Sequence, residues 1–191
     1  MFGAVAQKFV IDKVDKKFTE KEKRVLWFVG VTAAILPDFD LVYAALNHMI
    51  DHRDFVTHGI FIYLLITILL YLFSFTKDKK EFGRKFFKTL SICFIIGVLT
   101  HFLLDFIVGG IVFLAPFSYQ LFGFKVYYDR YNVNWLLRYL ESKYMLLELF
   151  NVGLFLVVLK DKKYIFGKII ALGYFFAAIA AFIFINIYFF K

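Results

Sequence analysis

Five long runs of apolar residues constrain the fold of this chain more than any other feature. They cover about residues 25–47, 58–76, 86–113, 144–159 and 164–190. An α-helix needs about 20 residues to cross the ~30 Å of bilayer hydrocarbon, and the runs reach or approach that length. Hydrophobic residues make up 62% of the chain, against about 45–50% in soluble domains. We therefore predict an all-α, polytopic membrane bundle of about five transmembrane helices, which excludes an ordinary soluble enzyme and a disordered chain.

The segment before the first run has an amphipathic pattern. Within residues 1–24, apolar positions recur at i, i+3 and i+4, and lysines fill much of the other face. This pattern predicts an N-terminal amphipathic helix that lies in the membrane interface or packs against the bundle. Thr19 and Glu22 have the spacing of a capping box that starts the next helix. The aromatic residues between 115 and 143 predict an interfacial segment. We predict that residues 1–191 form a single integral membrane domain.

The distribution of cations predicts an orientation. Seventeen of the 23 Lys and Arg residues lie in 1–24, 77–88 and 160–168. The positive-inside rule then places the N-terminus in the cytoplasm, in a chain of five spans integral to the cell membrane. Short clumps of cations fit a topology signal better than a nucleic-acid surface, so no nucleic-acid partner is expected. The lone Cys93 excludes an intrachain disulfide and a Cys-rich zinc site.

A small group of ionisable residues lies within or next to the apolar runs, where loop solvation does not explain them. Two acids follow Pro37, and His101 and Asp105 are four residues apart, which places them on one helix face. With the predicted topology, all of these residues fall at similar depth on the extracytoplasmic side. They are Asp38, Asp40, His48, His52, His58, His101 and Asp105.

This group has the chemistry of a metal site. Carboxylates and imidazoles are ligands of Zn²⁺, Mn²⁺ and Fe²⁺. Charges buried in a bilayer cost several kcal/mol unless they are paired or bind a cation. A divalent ion would neutralise the carboxylates and lower the pKa of a bound water. Arg53 next to the group suggests a clamp for phosphate oxygens, because guanidinium pairs with them bidentately.

Three sequence motifs carry a family resemblance over about residues 30–118. They are Leu36-Pro37-Asp38-Phe39-Asp40, the segment from His52-Arg53 to Thr57-His58, and His101 to Asp105 followed by Pro116-Phe117. At these residues the chain resembles the YdjM-type membrane-bound metal-dependent hydrolases, a family grouped with zinc-dependent phospholipase C. Two departures from that pattern stand out: no His precedes His48, and Gly59 replaces a common Ser.

The resemblance implies hydrolysis of a phosphate ester in a membrane lipid or polyprenyl phosphate. We expect one or two divalent ions, with Zn²⁺ favoured and Mn²⁺ or Fe²⁺ as alternatives. A carboxylate, Asp40 or Asp54, would act as general base or orient the water, and Arg53 would bind phosphate. The substrate would reach an extracytoplasmic site from the outer leaflet. The expected metal ligands are Asp38, His58, His101 and Asp105, with His52 and Asp40 as ligands of a second metal or as residues that orient the first ligands.

Other functions fit the same residues. Asp38 could cap a helix, and His101 with Asp105 could form a hydrogen-bonded pair between helices. An intramembrane cation or proton transporter would use the same group, although the sequence shows no inverted repeat. A structural membrane protein would use the metal as a staple in a closed four-ligand site.

Overall fold

A computed structural model of the chain describes residues 1–14, 17–40, 43, 55–76, 82–124, 143–158 and, further on, 165, 168–169, 172–173, 175–176 and 179–180. In these parts the chain is helical, and its one β-type pairing is an isolated bridge between Ile111 and Phe122. The helices are α1 (Phe2–Val14), α2 (Glu20–Ala33), α3 (Ile60–Phe73), α4 (Arg84–Val108) and α5 (Lys143–Val158). Short 3₁₀ turns cover Leu36–Phe39, Val56–His58 and Ser74–Thr76.

One helix in the described residues is long and apolar enough to cross a membrane. Helix α4 has 25 residues with a mean hydropathy of 2.2 over its most apolar window, and the helical segment Ile60–Thr76 is apolar but shorter. The prediction of an all-helical chain is thus confirmed for these residues. The prediction of five spans is not confirmed, because α2 ends at Ala33 and little of the last run is described.

Helix α2 begins where the sequence predicts. The Thr19 hydroxyl accepts from the Glu22 backbone N–H at 3.3 Å, and the Glu22 carboxylate accepts from the Thr19 N–H at 2.8 Å. The capping box is therefore confirmed. The second Glu22 oxygen accepts from the Phe82 N–H at 3.2 Å, which ties the start of α2 to the residues just before α4.

Four helices lie side by side, and α4 is at their centre. Leu26 of α2 packs with Phe86 and Leu90 near the start of α4. Further along both helices, Gly97 of α4 lies against Gly30 of α2, so α2 and α4 run in the same direction. Helix α3 runs in the opposite direction, since its first turns contact the end of α4 through a Tyr63–Phe102 ring pair 5.7 Å apart. Two helices thus end, and one begins, at the same end of the bundle. We call it the acidic end, because Asp38, Asp40 and Asp105 lie there.

Helix α1 takes the second of its two predicted positions and packs lengthwise against the bundle. The Gln7 amide donates to the Cys93 carbonyl at 2.8 Å, and Ile11 packs with Phe86 nearer the start of α4. Small residues allow this approach, since a Cβ at Gly30 would overlap the Gln7 side chain. On its other side α1 packs against Val152 and Phe155 of α5.

The direction of α1 differs from the predicted topology. Gly3 lies next to Ala34 and Thr100, and Thr100 directly precedes His101. The first turn of α1 is therefore at the acidic end, whereas the sequence pattern predicted the N-terminus and the polar residues on opposite faces. The reason is packing: an amphipathic pattern shows which residues share a face, but not whether that face meets lipid or other helices.

Candidate metal centre

Four ligand-type side chains from three separate parts of the chain meet at the acidic end. Asp38 comes from the 3₁₀ turn after α2, and Pro37 at the start of that turn stops the helix from continuing. His58 closes the 3₁₀ turn before α3. His101 and Asp105 lie one turn apart on α4, as their spacing predicts. The structure therefore brings together the four residues that the sequence analysis expected as metal ligands.

The atoms that converge are spaced as a metal would require. The Nε2 atom of His101 lies 3.0 Å from the Asp105 Oδ2 and 3.5 Å from the Asp38 Oδ1. The Nε2 atom of His58 lies 3.5 Å from the same Asp105 oxygen and 3.9 Å from the same Asp38 oxygen. In a tetrahedron with ligands about 2.0–2.1 Å from zinc, neighbouring ligand atoms are about 3.3–3.4 Å apart. Asp38, His58 and His101 also form a group with ligand atoms all within 4.8 Å of one another.

The second nitrogen of each imidazole has its own partner. His101 Nδ1 lies 3.0 Å from the Ala34 carbonyl oxygen, which can only accept a hydrogen bond. His58 Nδ1 lies 3.1 Å from the Asp40 Oδ2. Both contacts assign the proton to Nδ1 and leave the Nε2 lone pair directed at the carboxylates. Metal-bound histidines are held in this way, by a carboxylate or a backbone carbonyl on the other ring nitrogen.

Acceptor atoms this close require a cation between them. In the assigned tautomer His101 Nε2 is an acceptor, and it faces a carboxylate oxygen at 3.0 Å. This nitrogen is buried, and a second proton on the ring would make the 3.0 Å contact an ion pair with Asp105. Two lone pairs at that distance repel each other unless a proton or a metal ion lies between them. The donor set of two imidazoles and two carboxylates fits a divalent metal such as Zn²⁺.

Asp40 lies behind His58 and not among the converging atoms. Its Oδ2 accepts from the Thr57 hydroxyl as well as from His58, and its side chain is 7% exposed. The contact between Thr57 and Asp40 explains why a hydroxyl residue precedes His58. Asp40 thus contacts the far side of the His58 ring, and its expected role as a second-metal ligand or an orienting residue stays a prediction.

The turn that carries His58 is held from two sides. The Tyr63 hydroxyl donates to the Thr57 carbonyl at 2.7 Å, and the Ile60 N–H donates to the Phe113 carbonyl at 3.0 Å. A Cβ on Gly59 would overlap the Ala115 carbonyl oxygen. This contact gives a physical reason for glycine at the position where the related pattern commonly has serine.

Access to the group is from the side of Asp38. The side chain of His58 is fully buried, those of His101 and Asp105 are 10% and 11% exposed, and that of Asp38 is 45% exposed. The surface next to Asp38 is apolar, because Ile35 and Phe39 are 54% and 60% exposed. In a 3₁₀ helix, side chains three residues apart are eclipsed, which puts Ile35 on the same face as Asp38.

Several expected site residues lie outside the described residues. These are His52, Arg53 and Asp54. His48 and the aromatic residues of the predicted interfacial segment, Tyr127, Tyr128, Tyr131 and Trp135, also lie outside the described residues. The second metal, the phosphate clamp and one of the two candidate bases therefore stay predictions.

Two contributors to the site were missed at the sequence level. Tyr63 could have been noticed, because it carries a polar hydroxyl in the otherwise apolar first turns of α3 and that hydroxyl needs a buried partner. The Ala34 carbonyl could not, because a backbone acceptor carries no sequence signal.

Comparison with known proteins places the chain in a family. The family model of the YdjM inner membrane proteins matches residues 1–189, so the chain belongs to that family of membrane proteins. No curated protein and no solved structure is significantly similar to the chain.

Proposed function

We propose that this member of the YdjM inner membrane protein family is a membrane-embedded, metal-dependent phosphoester hydrolase. The observation that carries the proposal is the convergence of two imidazole nitrogens and two carboxylate oxygens at 3.0–3.9 Å. Asp38, His58, His101 and Asp105 would hold the metal. When bound, a divalent ion would lower the pKa of a coordinated water to about 7 and polarise a phosphoryl oxygen.

The protein residues have separate tasks in this proposal. Asp40 and the Ala34 carbonyl hold the two imidazoles in the tautomer that presents Nε2 to the metal. Because the Asp40 Oδ2 is occupied by His58 and Thr57, we assign Asp40 an orienting role. The general base would then be Asp54, and Arg53 would neutralise the phosphate group.

The surroundings of Asp38 support an amphiphilic substrate. The most exposed ligand has the apolar side chains of Ile35 and Phe39 beside it. A phosphoester with a lipid tail could place its head group at the metal and its chain along these residues. The cations at the starts of α2 and α4 lie at the other end of the bundle.

The orientation of the bundle follows from its charges in this proposal. Lys21, Lys23 and Arg24 at the start of α2 and Arg84 with Lys85 at the start of α4 lie at the end opposite the acidic end. The positive-inside rule assigns that basic end to the cytoplasm. The metal centre and the first turn of α1 would then lie towards the extracytoplasmic side.

Hydrolysis of two chromogenic phosphodiesters tests the proposed function. Bis(p-nitrophenyl) phosphate is water-soluble, and hexadecyl p-nitrophenyl phosphate carries a single long chain. Zinc-loaded protein in detergent should hydrolyse the hexadecyl ester, and His101→Ala should abolish this activity while Asp12→Asn, on the exposed face of α1, keeps it. Hydrolysis of neither ester by metal-loaded protein would refute the hydrolase assignment.

A structural metal site is the second candidate, and the number of converging side chains favours it. Structural zinc sites are closed by four protein ligands, whereas catalytic sites keep an open position. The two candidates differ in ligand exchange. In cobalt-substituted protein, inorganic phosphate should change the visible absorption spectrum if a coordination position is open, and should leave it unchanged if the metal is a staple.

A further inference from the structure

The first turn of helix α1 contributes no side chain to the metal centre, yet it contacts the residue that holds His101. A Cβ placed on Gly3 would overlap the Cβ of Ala34 and would lie 3.2 Å from the Thr100 hydroxyl oxygen. The Ala34 carbonyl is the acceptor for His101 Nδ1, at 3.0 Å. Gly3 thus contacts Ala34, whose carbonyl contacts the proposed metal ligand His101.

The Ala34 carbonyl is available because of where α2 ends. Ala34 is the C-cap of that helix, and its own N–H is bonded to carbonyls of the last turn. The last carbonyls of an α-helix have no partner within the helix, so this one can accept from another element. Its position therefore depends on how the end of α2 is held.

Two glycines from different helices hold that end. On one side Gly3 of α1 meets the Ala34 side chain. On the other side a Cβ at Gly97 of α4 would overlap the Gly30 carbonyl oxygen and lie 3.1 Å from the Ala34 nitrogen. The end of α2 is clamped between α1 and α4 with no room for an additional methyl group on either side.

We propose that Gly3 is a positioning residue for the metal centre, acting through Ala34 on His101. The inference rests on the proposed metal function. Helix α1 sets the place of the Ala34 carbonyl, the carbonyl sets the tautomer and direction of the His101 ring, and the ring presents Nε2 to the metal. The N-terminal helix therefore belongs to the site, although its sequence contains no ligand residue that would indicate this.

Variants that move one methyl group across the contact between α1 and α2 test the positioning role of Gly3. Gly3→Ala adds a Cβ where Ala34 already has one, Ala34→Gly removes that one, and the double variant transfers the methyl group from one helix to the other. Gly153→Ala is the matched control, because nothing lies within 4 Å of a Cβ at Gly153. The readouts are the Co²⁺ dissociation constant, the visible Co²⁺ spectrum and the thermal unfolding midpoint in detergent.

Loss of an orienting partner costs metal sites about 10–100-fold in affinity. We expect Gly3→Ala to weaken Co²⁺ binding at least tenfold and to change the spectrum. Ala34→Gly leaves a gap and should weaken binding about threefold, while the double variant should return to within threefold of wild type. Gly153→Ala should match wild type. Such non-additivity is the signature of two residues acting through one contact.

Other results would refute either the positioning role of Gly3 or the metal centre itself. Folded Gly3→Ala protein with wild-type Co²⁺ affinity refutes the positioning role, as does a loss that the double variant fails to recover. If Gly3→Ala does not fold, unchanged affinity in Ala34→Gly refutes it instead. Wild-type protein that binds no Co²⁺ refutes the metal centre itself, and the proposed function with it.

Discussion

Asp40→Asn tests whether the hydrogen bond from His58 to Asp40 is needed for metal binding. The Asp40 carboxylate accepts from His58 Nδ1 at 3.1 Å and from the Thr57 hydroxyl. An asparagine that turns its amide N–H₂ towards His58 forces the proton onto Nε2 and removes the lone pair that would bind the metal. An asparagine that keeps its oxygen there places an N–H₂ group at the position of Asp40 Oδ1, which is buried without a hydrogen-bond partner.

Both arrangements weaken metal binding. Removing a partner of this kind costs about 10–100-fold in affinity, which corresponds to about 1.4–2.8 kcal/mol. The second arrangement also buries an unsatisfied donor, at about 1–3 kcal/mol of folding stability. The assay is competition for Zn²⁺ between the detergent-purified protein and a chromophoric chelator, with a thermal melt of each variant.

The matched control for this prediction is Asp12→Asn. Asp12 is on α1, pairs with Lys8 and has a side chain that is 58% exposed, so its loss should leave Zn²⁺ affinity unchanged. Folded Asp40→Asn protein that binds Zn²⁺ within twofold of wild type would show that His58 does not depend on Asp40. The assignment of the His58 tautomer would then be wrong.

Three further substitutions probe the scaffold around the site. Burial raises the pKa of Glu22, but hydrogen bonds from Thr19 and from the Phe82 N–H outweigh it and lower that pKa. Glu22→Gln should therefore cost about 1 kcal/mol of folding stability at neutral pH. A carboxylate whose pKa is lower in the folded state stabilises the fold above its unfolded pKa, which is about 4.3 for Glu. In thermal melts, the stability difference between wild type and Glu22→Gln should therefore shrink as the pH falls below about 4. Gly59→Ala, which pushes against the Ala115 carbonyl, should lower stability by about 1–3 kcal/mol and weaken Zn²⁺ binding in a chelator titration. Gln7→Met removes the bond to the Cys93 carbonyl together with a buried oxygen that has no partner, and should change stability by less than about 1 kcal/mol in a thermal melt.

Each of these expectations has a result that contradicts it. A constant difference between wild type and Glu22→Gln from pH 7 to pH 3 would mean that the carboxylate charge does not stabilise the cap. Wild-type metal affinity in Gly59→Ala would mean that the His58 turn does not depend on its contact with Ala115, in the segment after α4. A loss of several kcal/mol in Gln7→Met would give Gln7 a larger role than its single hydrogen bond accounts for.

The ligands of the candidate centre could be predicted from the sequence because they conflict with their surroundings. His101 and Asp105 interrupt an apolar run, and such residues in a membrane span require a partner or a cation. Their spacing of four residues then fixes a shared helix face. Asp38 could be added because it follows Pro37, which ends the preceding helix. The structure brings these residues together with His58.

The supporting contacts could not be predicted in the same way. Which backbone carbonyl faces His101 depends on how far α2 extends and on how closely α1 approaches it. Gly3 and Gly97 permit the close approach of α1 and α4 to the end of α2, yet a glycine in an apolar helix is equally compatible with a lipid-facing position. The amphipathic pattern of α1 allowed two positions, and its small residues select the packed one by permitting contact with Ala34 and Thr100.

The metal content of the purified protein tests whether Asp38, His58, His101 and Asp105 form a metal centre. Mass spectrometry of detergent-purified wild type, His101→Ala and Asp12→Asn, each reconstituted with excess Zn²⁺ and Mn²⁺ and then desalted, counts the bound ions per chain. The account predicts at least one equivalent of metal in wild type and in Asp12→Asn, and its loss in His101→Ala. Wild-type protein without bound metal, or His101→Ala protein that keeps a full equivalent, would contradict the assignment of the four converging side chains as a metal centre.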